Sequence, residues 1–405
     1  MDVFQGPFVG GGTGGGLTKQ LSMRAVVAMR WDCTRLVDGR GQLLGAAISC
    51  HVESMRRSKV PGYRLLVLLA VRGGYERSAR SFDASDLPPP AGTAPAAAAA
   101  ARRGKTAVVT GANAGLGLAT ATALAGMGMR TLCVCRNKER GMAAVDKIRA
   151  ETGNDDVHLR VCDVSSLSAV RQLASSLVEE GPVHVLVNNA GVLLDKPARS
   201  AEGLDSSFAT NTLGGFALTE LAMPALRAAA DAESADSEKD SEGCFMPRVV
   251  TISSGGMYSE GLETDDLQNA RMAKHWNGVK AYALDKRRQV AMTESWAQKY
   301  ADTGVTFVSM HPGWADTPGI QSALPGFSER MDDKMRTPEM GADTIVWLAA
   351  VDAAKLQSGA FYLDRKVAKK HLLLSGTRYS PGKREELYKK LMTFVDASED
   401  AAEST

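Results

Sequence analysis

The sequence predicts a doubly wound α/β domain on a parallel sheet, spanning roughly Lys105 to Asp364, and three observations carry that reading. Short β-branched runs alternate with amphipathic segments, which calls for crossover connections and a sheet covered on both faces. The strand candidates are apolar almost throughout, as in Val183-His-Val-Leu-Val187, the pattern of strands buried on two sides. A glycine-rich turn joins the first strand to the first helix.

Thr106 to Thr110 reads as the first strand and Leu116 to Met127 as its helix. Arg130 to Cys135 and Lys138 to Thr152 form the second pair, Val157 to Cys162 and Leu167 to Glu180 the third. Val183 to Val187 is a fourth strand, followed by helical periodicity from Leu204 to Ala230. Arg248 to Ile252 is a fifth strand, then come a helix around Tyr282 to Lys299 and a strand at Val305 to Met310. The acid-rich stretch Asp231 to Gly243 reads as a solvated surface loop. After Asp364 there is one more helix, Lys383 to Val395, before an acidic tail.

Composition sets limits on the rest. With 405 residues, 44% apolar and 23% charged, the chain can bury an ordinary core. A net charge of +2 argues against nucleic acid as a partner, which needs a strong basic field. Cys33, Cys50, Cys133, Cys135, Cys162 and Cys244 show no metal-ligand spacing, and a reducing compartment suits them. No stretch approaches the roughly 20 apolar residues that span a bilayer.

Residues 1–72 form a basic, Gly-rich extension, with ten Lys/Arg against Asp2, Asp32, Asp38 and Glu53. That composition fits either a disordered extension or an organellar transit segment, so a cytoplasmic and an organellar location both remain open. The short apolar run from Leu65 to Val71 leaves membrane association through this region open too. Residues 73–103 read as a short leader and a flexible Pro/Ala linker, 104–366 as the dinucleotide-binding domain, and 367–405 as the C-terminal helix and tail.

The chemistry begins at Thr110-Gly-Ala-Asn-Ala-Gly-Leu-Gly117. Gly111, Gly115 and Gly117 let backbone N–H groups approach a pyrophosphate at a helix N-terminus, the Rossmann-type arrangement. At the end of the second strand an acid would bind ribose hydroxyls and repel a 2′-phosphate. The chain has Leu132-Cys-Val-Cys-Arg136 there, and the Arg136 fork pairs with phosphate, so NADP(H) is favoured over NAD(H). Asp163, at the end of the third strand, is placed either to accept from an adenine amino group or to cap the helix near Leu167.

Tyr282 and Lys286 stand four residues apart, on one face of a helix. An ammonium beside a phenol favours the phenolate and lowers its pKa. Ser253-Ser254 ends the fifth strand and Asn188-Asn-Ala-Gly191 the fourth, both at the carboxyl edge where such sheets bind ligands; Asn211 lies on the helix between them.

Thr110-Gly-x-x-x-Gly-x-Gly117, Asn188-Asn-Ala-Gly191, Ser254, Tyr282-x-x-x-Lys286 and Pro312-Gly313 resemble, in order and spacing, the short-chain dehydrogenase/reductase family. The resemblance implies a catalytic tetrad of Asn211, Ser254, Tyr282 and Lys286. Tyr282 would serve as acid/base and Ser254, rather than Ser253, would orient the carbonyl. Lys286 would lower the phenol pKa and hold ribose, while Asn211 supports a water leading from Lys286 to solvent. Cofactor contacts are implied for Thr110, Gly111, Asn113, Gly115, Leu116, Gly117, Arg136, Asp163, Asn189, Ala190, Gly191, Tyr282, Lys286, Pro312, Gly313 and Thr317, the last at the nicotinamide carboxamide. Relatives in the family pair through the helices carrying Asn211 and Tyr282, so a homo-oligomer is compatible. Ser253-Ser-Gly-Gly-Met257, Tyr282-Ala-x-x-Lys-Arg-x-Gln289, His311-Pro-Gly-Trp-Ala-Asp-Thr-Pro318 and Asp364-Arg-Lys366 resemble one subgroup. Gly74-Tyr-Glu76 with Asp83 to Leu87 is similar to that subgroup's leader and moves the start of the protein proper to about Gly73.

The implied activity is an oxidoreductase passing a hydride between NADP(H) and a small-molecule carbonyl or alcohol. Trp314, Ile320, Leu324, Phe327 and Met331 make the substrate cover apolar. The competing reading is a catalytically silent NADP(H)-binding regulatory or scaffold protein, against which the intact tetrad argues.

Overall fold

A computed structural model describes residues 70–83, 86, 102–235, 245–323, 331 and 334–403. Most of the 1–72 extension, the Pro88 to Ala101 tract and most of the acidic stretch lie outside the described residues.

Seven strands and a hairpin partner form one sheet in the order β3-β2-β1-β4-β5-β6-β7-β8. They are β1 (Thr106–Thr110), β2 (Arg130–Cys135), β3 (Val157–Val161), β4 (Val185–Asn188), β5 (Arg248–Ile252), β6 (Thr306–Met310), β7 (Phe361–Leu363) and β8 (Lys366–Ala368). All neighbours run parallel except β7 and β8. The order reverses between β1 and β4, which opens a crevice at the carboxyl edge there.

The alternating side chains of each strand feed two cores. Val108, Leu132, Leu186 and Val249 face one side. There they meet α3 (Leu167–Glu180), α4 (Gly215–Leu221), α6 (Gly278–Lys299) and α8 (Pro381–Glu403). Val109, Cys133, Val187 and Val250 face α1 (Gly115–Gly126), α2 (Lys138–Thr152) and α7 (Pro338–Ala350). Buried on both faces, the inner strands β1, β2, β4, β5 and β6 carry no polar alternation, whereas the edge strands β3 and β8 are partly exposed and carry polar residues. Side-chain oxygens start the helices: Asn137 accepts from Arg140 N, Asn277 from Lys280 N and Thr337 from Met340 N.

Several expectations need correction. The fourth strand starts at Val185 rather than Val183. The helical stretch from Leu204 is broken into Ser206–Phe208, a π-helical turn Ala209–Gly214, α4, and α5 (Met223–Ala235). The acidic stretch is not all loop, since α5 runs to Ala235. Its Glu233 is buried, pairs with Lys105 and accepts from Phe245 N at 2.9 Å. The leader forms a helix, Arg72–Ala79, and Ala70 before it is already buried. β7, β8 and α7 were not foreseen, and α8 is longer than the Lys383 to Val395 reading.

The outer face of the helices carrying Asn211 and Tyr282, where a homo-oligomer is expected to pair, is packed against α8. Phe216 stacks on Trp296 at 5.8 Å and meets Tyr388 of α8 edge-on at 5.4 Å. Phe208 lies 5.4 Å from Phe394, and Leu387, Leu391 and Val395 complete the packing. Cys133, Cys135 and Cys162 are buried free thiols, Cys133 pushed up to about 12 chiefly by desolvation, consistent with small hydrophobes. Among the described residues, no helix is long and apolar enough to cross a membrane, and no cluster of side chains could hold a metal ion.

Candidate functional site

The carboxyl ends of β1, β4, β5 and β6 bring the sequence motifs to one edge of the sheet. The Thr110 hydroxyl donates to Val187 O at 3.2 Å and accepts from Asn189 N and Ala190 N, each at 3.0 Å. Asn189 Nδ2 donates in turn to Thr110 O at 2.7 Å. The glycine turn and the Asn188 to Gly191 segment are therefore one hydrogen-bonded unit. A Cβ on Gly117 would stand 2.2 Å from Gly111 O, so only glycine lets α1 start this close to the turn. Ala114 at the N-cap supplies no side-chain acceptor, and the first turn of α1 holds no acid. Those backbone N–H groups suit a phosphate. Asn113 and Leu116 are half-buried in the same turn. Thr317 reaches it from the far side, its Cγ2 lying 3.1 Å from where a Gly115 Cβ would be.

Arg136 follows β2 and is exposed, with Cys135 before it and Asn137 after. Asp163 follows β3, and its Oδ1 accepts from Ser165 N at 2.9 Å and Ser165 Oγ at 2.8 Å. The helix-cap option for Asp163 is overturned. Ser166 caps α3, and Glu202 accepts from Leu167 N at 2.9 Å and Ser168 N at 3.1 Å.

Around β4 and β5 the four tetrad positions converge. The Asn211 side chain bridges the backbone of Val192, accepting from its N–H at 2.8 Å and donating to its carbonyl at 2.9 Å. A Cβ on Gly191 would lie 3.1 Å from Asn211 Oδ1 and 3.7 Å from Lys286 Nζ. Lys286 Nζ donates to Ile252 O at 2.7 Å and sits 5.0 Å from the centre of the Tyr282 ring. The two serines are told apart. Ser253 is buried and donates to Lys286 O at 2.8 Å, whereas the Ser254 hydroxyl accepts from Gly256 N at 3.3 Å and pairs with the Tyr282 phenol.

Electrostatics departs from the sequence expectation. The Tyr282 phenol is not depressed by Lys286; desolvation pushes it up to about 12, against the Ser254 hydrogen bond, which lowers it, while Asp285 raises it. Lys286 is brought down to about 8, first by desolvation, with Asp285 opposing. Lys286, 5.0 Å from the ring centre, does not offset the cost of burying the phenol. The Asn211 backbone carbonyl accepts from Gln289 Nε2 at 2.6 Å.

Four buried residues were given no role by the sequence reading, although His311 and Gln289 fall within motifs of the resembling subgroup. Asp285 accepts from Ser207 Oγ and Thr212 Oγ1, each at 2.8 Å, and from Arg288 Nη1 at 3.0 Å, which ties α6 to the π-helical turn. Gln289 holds the Asn211 carbonyl. His311, just before Pro312, is buried behind Gly255 and pushed down to about 3 by desolvation and then by Arg336. Arg336 donates to Pro312 O at 3.2 Å and to Asp364 at 2.7 Å. Residue chemistry at fixed spacing does not reveal these roles, because each side chain serves another residue of the chain. The cover residue Met331 is buried and Trp314 half-buried, while Leu324, Phe327 and the Ile320 side chain lie outside the described residues.

Residues 105–235 match the family model described as short chain dehydrogenase. The chain is 38% identical over 317 residues to dehydrogenase/reductase SDR family member 12 of Bos taurus, covering 78% of this chain and 90% of the relative, and equally to the Homo sapiens protein. Retinol dehydrogenase 11 of Homo sapiens is 33% identical, with 65% of this chain and 79% of that one covered. Among solved structures, one of a putative uncharacterized protein from Mycobacterium Paratuberculosis superposes with a TM-score of 0.54 at 25% identity, covering 73% of this chain and 97% of the other.

Proposed function

Because the chain belongs to the short-chain dehydrogenase/reductase family, we propose that it transfers a hydride between NADP(H) and the carbonyl or alcohol group of an apolar small molecule, with Tyr282 moving the proton. The observation that carries this reading is the Tyr282 phenol paired with the Ser254 hydroxyl, with Lys286 Nζ 5.0 Å from its ring. This group stands at the carboxyl edge beside Gly191 and the glycine turn.

The residues fit a dinucleotide. The uncapped start of α1 and the bare Gly117 leave room and donors for a pyrophosphate. Arg136, exposed at the end of β2, is free of an adjoining acid in sequence and is placed to pair with a 2′-phosphate. Asn189, Ala190, Gly191, Pro312, Gly313 and Thr317 then border the nicotinamide end. The nicotinamide, when bound, gives or takes the hydride.

The protein's share is positioning and proton transfer. Ser254 donates to the substrate oxygen and steadies the charge that grows there. Tyr282, with its phenol held near 12, remains protonated at neutral pH and is a proton donor to that oxygen. The ligand-free site is therefore set for reduction. Oxidation needs the phenolate, and Lys286, once its ammonium turns toward the hydroxyl and ribose, is the group that favours it.

For the substrate, the half-buried Trp314 and the buried Met331 support an apolar cover. A relative named for retinol supports the same chemical class. Mixing the protein with NADPH and a panel of apolar aldehydes and ketones, and following loss of reduced nucleotide, tests the proposal. Tyr282→Phe is expected to bind NADPH and lose at least about 10²-fold in turnover. Undiminished turnover in that variant would remove Tyr282 from the reaction.

A further inference from the structure

The leader before the dinucleotide-binding core touches the site from behind. Ala70 O accepts from Trp314 N at 2.7 Å, so the chain just after Pro312-Gly313 is pinned to the start of the leader. The Tyr75 ring lies 5.2 Å from the Arg336 guanidinium. Phe82 meets Tyr75 edge-on at 5.9 Å and carries Arg365 over its other side at 4.4 Å. Farther along, Ser81 Oγ accepts from Lys366 Nζ at 3.1 Å, and Asp86 accepts from Trp347 Nε1 at 2.9 Å and pairs with Lys355.

Arg336 is the joint between leader and site. It is buried, and Asp364 holds both arms of its fork, at 2.7 and 3.2 Å. One arm also donates to Pro312 O at 3.2 Å. Its backbone N–H donates to Trp314 O and its carbonyl accepts from Asp316 N, both at 2.8 Å. A Cβ on Gly313, where φ is +78°, would fall 2.2 Å from Arg336 Nε, so the guanidinium lies directly against that glycine. Tyr75, Arg336 and the Pro312 to Asp316 backbone therefore form one continuous stack, and Thr317 at its end already touches the glycine turn.

From this we infer that the leader, residues 70–83, is a positioning element of the active site, in which Tyr75 acting through Arg336 sets where the Pro312 to Thr317 segment stands against the nicotinamide end of the cofactor. The inference rests on the proposed function for its ligand, not for its contacts. The bland alternative is that the leader only covers the sheet edge. Removing a cover would loosen the fold as a whole and weaken both halves of the nucleotide alike. Removing a positioning element weakens the nicotinamide half alone.

The test uses the full chain carrying Tyr75→Ala or Tyr75→Phe, titrated with NADPH and with 2′-phospho-ADP-ribose, which lacks only the nicotinamide. Amide hydrogen exchange at Trp314 is read in parallel, since it needs no cofactor. The expected result for Tyr75→Ala is about tenfold weaker NADPH binding, the upper range of a lost cation–π contact, with 2′-phospho-ADP-ribose unchanged and Trp314 exchanging faster. Tyr75→Phe keeps the ring and restores wild-type values. Should Tyr75→Ala fail to fold, Tyr75→Leu, which fills the space without a π face, gives the same reading. Equal weakening of both nucleotides, or unchanged Trp314 exchange, overturns the positioning role. A wild-type chain that bound neither nucleotide would overturn the cofactor reading, and with it the ligand this inference assigns, whatever the exchange data say.

Discussion

Replacing Lys286 with methionine separates the cost of the site from its use. Burial brings the Lys286 ammonium from its ordinary 10.5 to about 8, with Asp285 opposing. At about 1.4 kcal/mol per pH unit this is roughly 3 kcal/mol by which the charged side chain destabilises the fold. The sign is fixed by proton binding. Between about pH 8 and 10.5 the unfolded chain holds the proton and the folded chain has lost it, so stability gains with pH across that window. Below pH 8 both states are protonated and the full penalty is present. Lys286→Met removes the titration and also the hydrogen bond to Ile252 O, a pH-independent loss of about 1 kcal/mol. The variant should therefore be more stable than wild type by about 2 kcal/mol at pH 7 and less stable by about 1 kcal/mol near pH 10.5. Urea unfolding of both proteins at several pH values from 7 to 10.5 measures the difference, in which all other titrations cancel. A difference that stays constant over that range would show that the ammonium is not held charged and buried beside Tyr282.

Rate, binding and sedimentation measurements give three more outcomes. For reduction, kcat/KM should stay level with pH until the phenol, held near 12, begins to ionise, whereas alcohol oxidation should climb with pH over that same range; identical profiles in the two directions would contradict this. Arg136→Glu should weaken NADPH binding by about 10- to 100-fold, the worth of a charge-assisted hydrogen bond, and leave NADH binding equal or improved; parallel losses in fluorescence titrations would take Arg136 off the 2′-phosphate. The native chain should sediment as a monomer, because α8 seals the Phe208, Phe216 and Trp296 face. A chain lacking residues 381–405 should self-associate through that face, and a native dimer would place the interface elsewhere.

What the sequence made legible is whatever repeats a local rule. β1, β2, β5 and α2 fall where β-branched runs, an Asn cap and a closing glycine put them. The glycine turn and the tetrad positions were readable because their chemistry needs particular residue types at fixed spacing. The short β7 and β8 were not, since three residues carry no periodicity; β7 is placed by pairing to Ser309 and Met310, and β8 by pairing back to β7. α7 was hidden for the opposite reason, its sequence being apolar on most sides because it is buried. The leader helix has little apolar character of its own, and its docking depends on Arg336 and Asp86 contacts made across more than 250 residues of chain.

The least legible feature is also the most instructive. Asp285, Lys286, Arg287 and Arg288 are four consecutive charged residues on one helix, which by pattern alone would be a solvated stretch, yet all four are buried. Charges in sequence can all be buried only if donors and acceptors surround the helix on every side. Here they do. Arg287 donates to Lys370 O at 2.8 Å and to the carbonyls of Glu260 and Met257. Arg288 donates to the carbonyls of Glu263, Asp266 and Leu267 between 3.0 and 3.2 Å. Apart from that of Lys370, those carbonyls belong to the segment that runs from Ser254 to Tyr282, so the charges beside Lys286 hold in place the stretch that joins these two site residues. An Arg288→Met change keeps the volume and discards four donors, leaving Asp285 without its cationic partner. It should cost about 3–5 kcal/mol, the loss expected when one partner of a buried ion pair is removed, and blunt turnover more than NADPH binding, because the loop carries Ser254 and not the glycine turn. A variant with native turnover would mean that the loop keeps its shape without those donors.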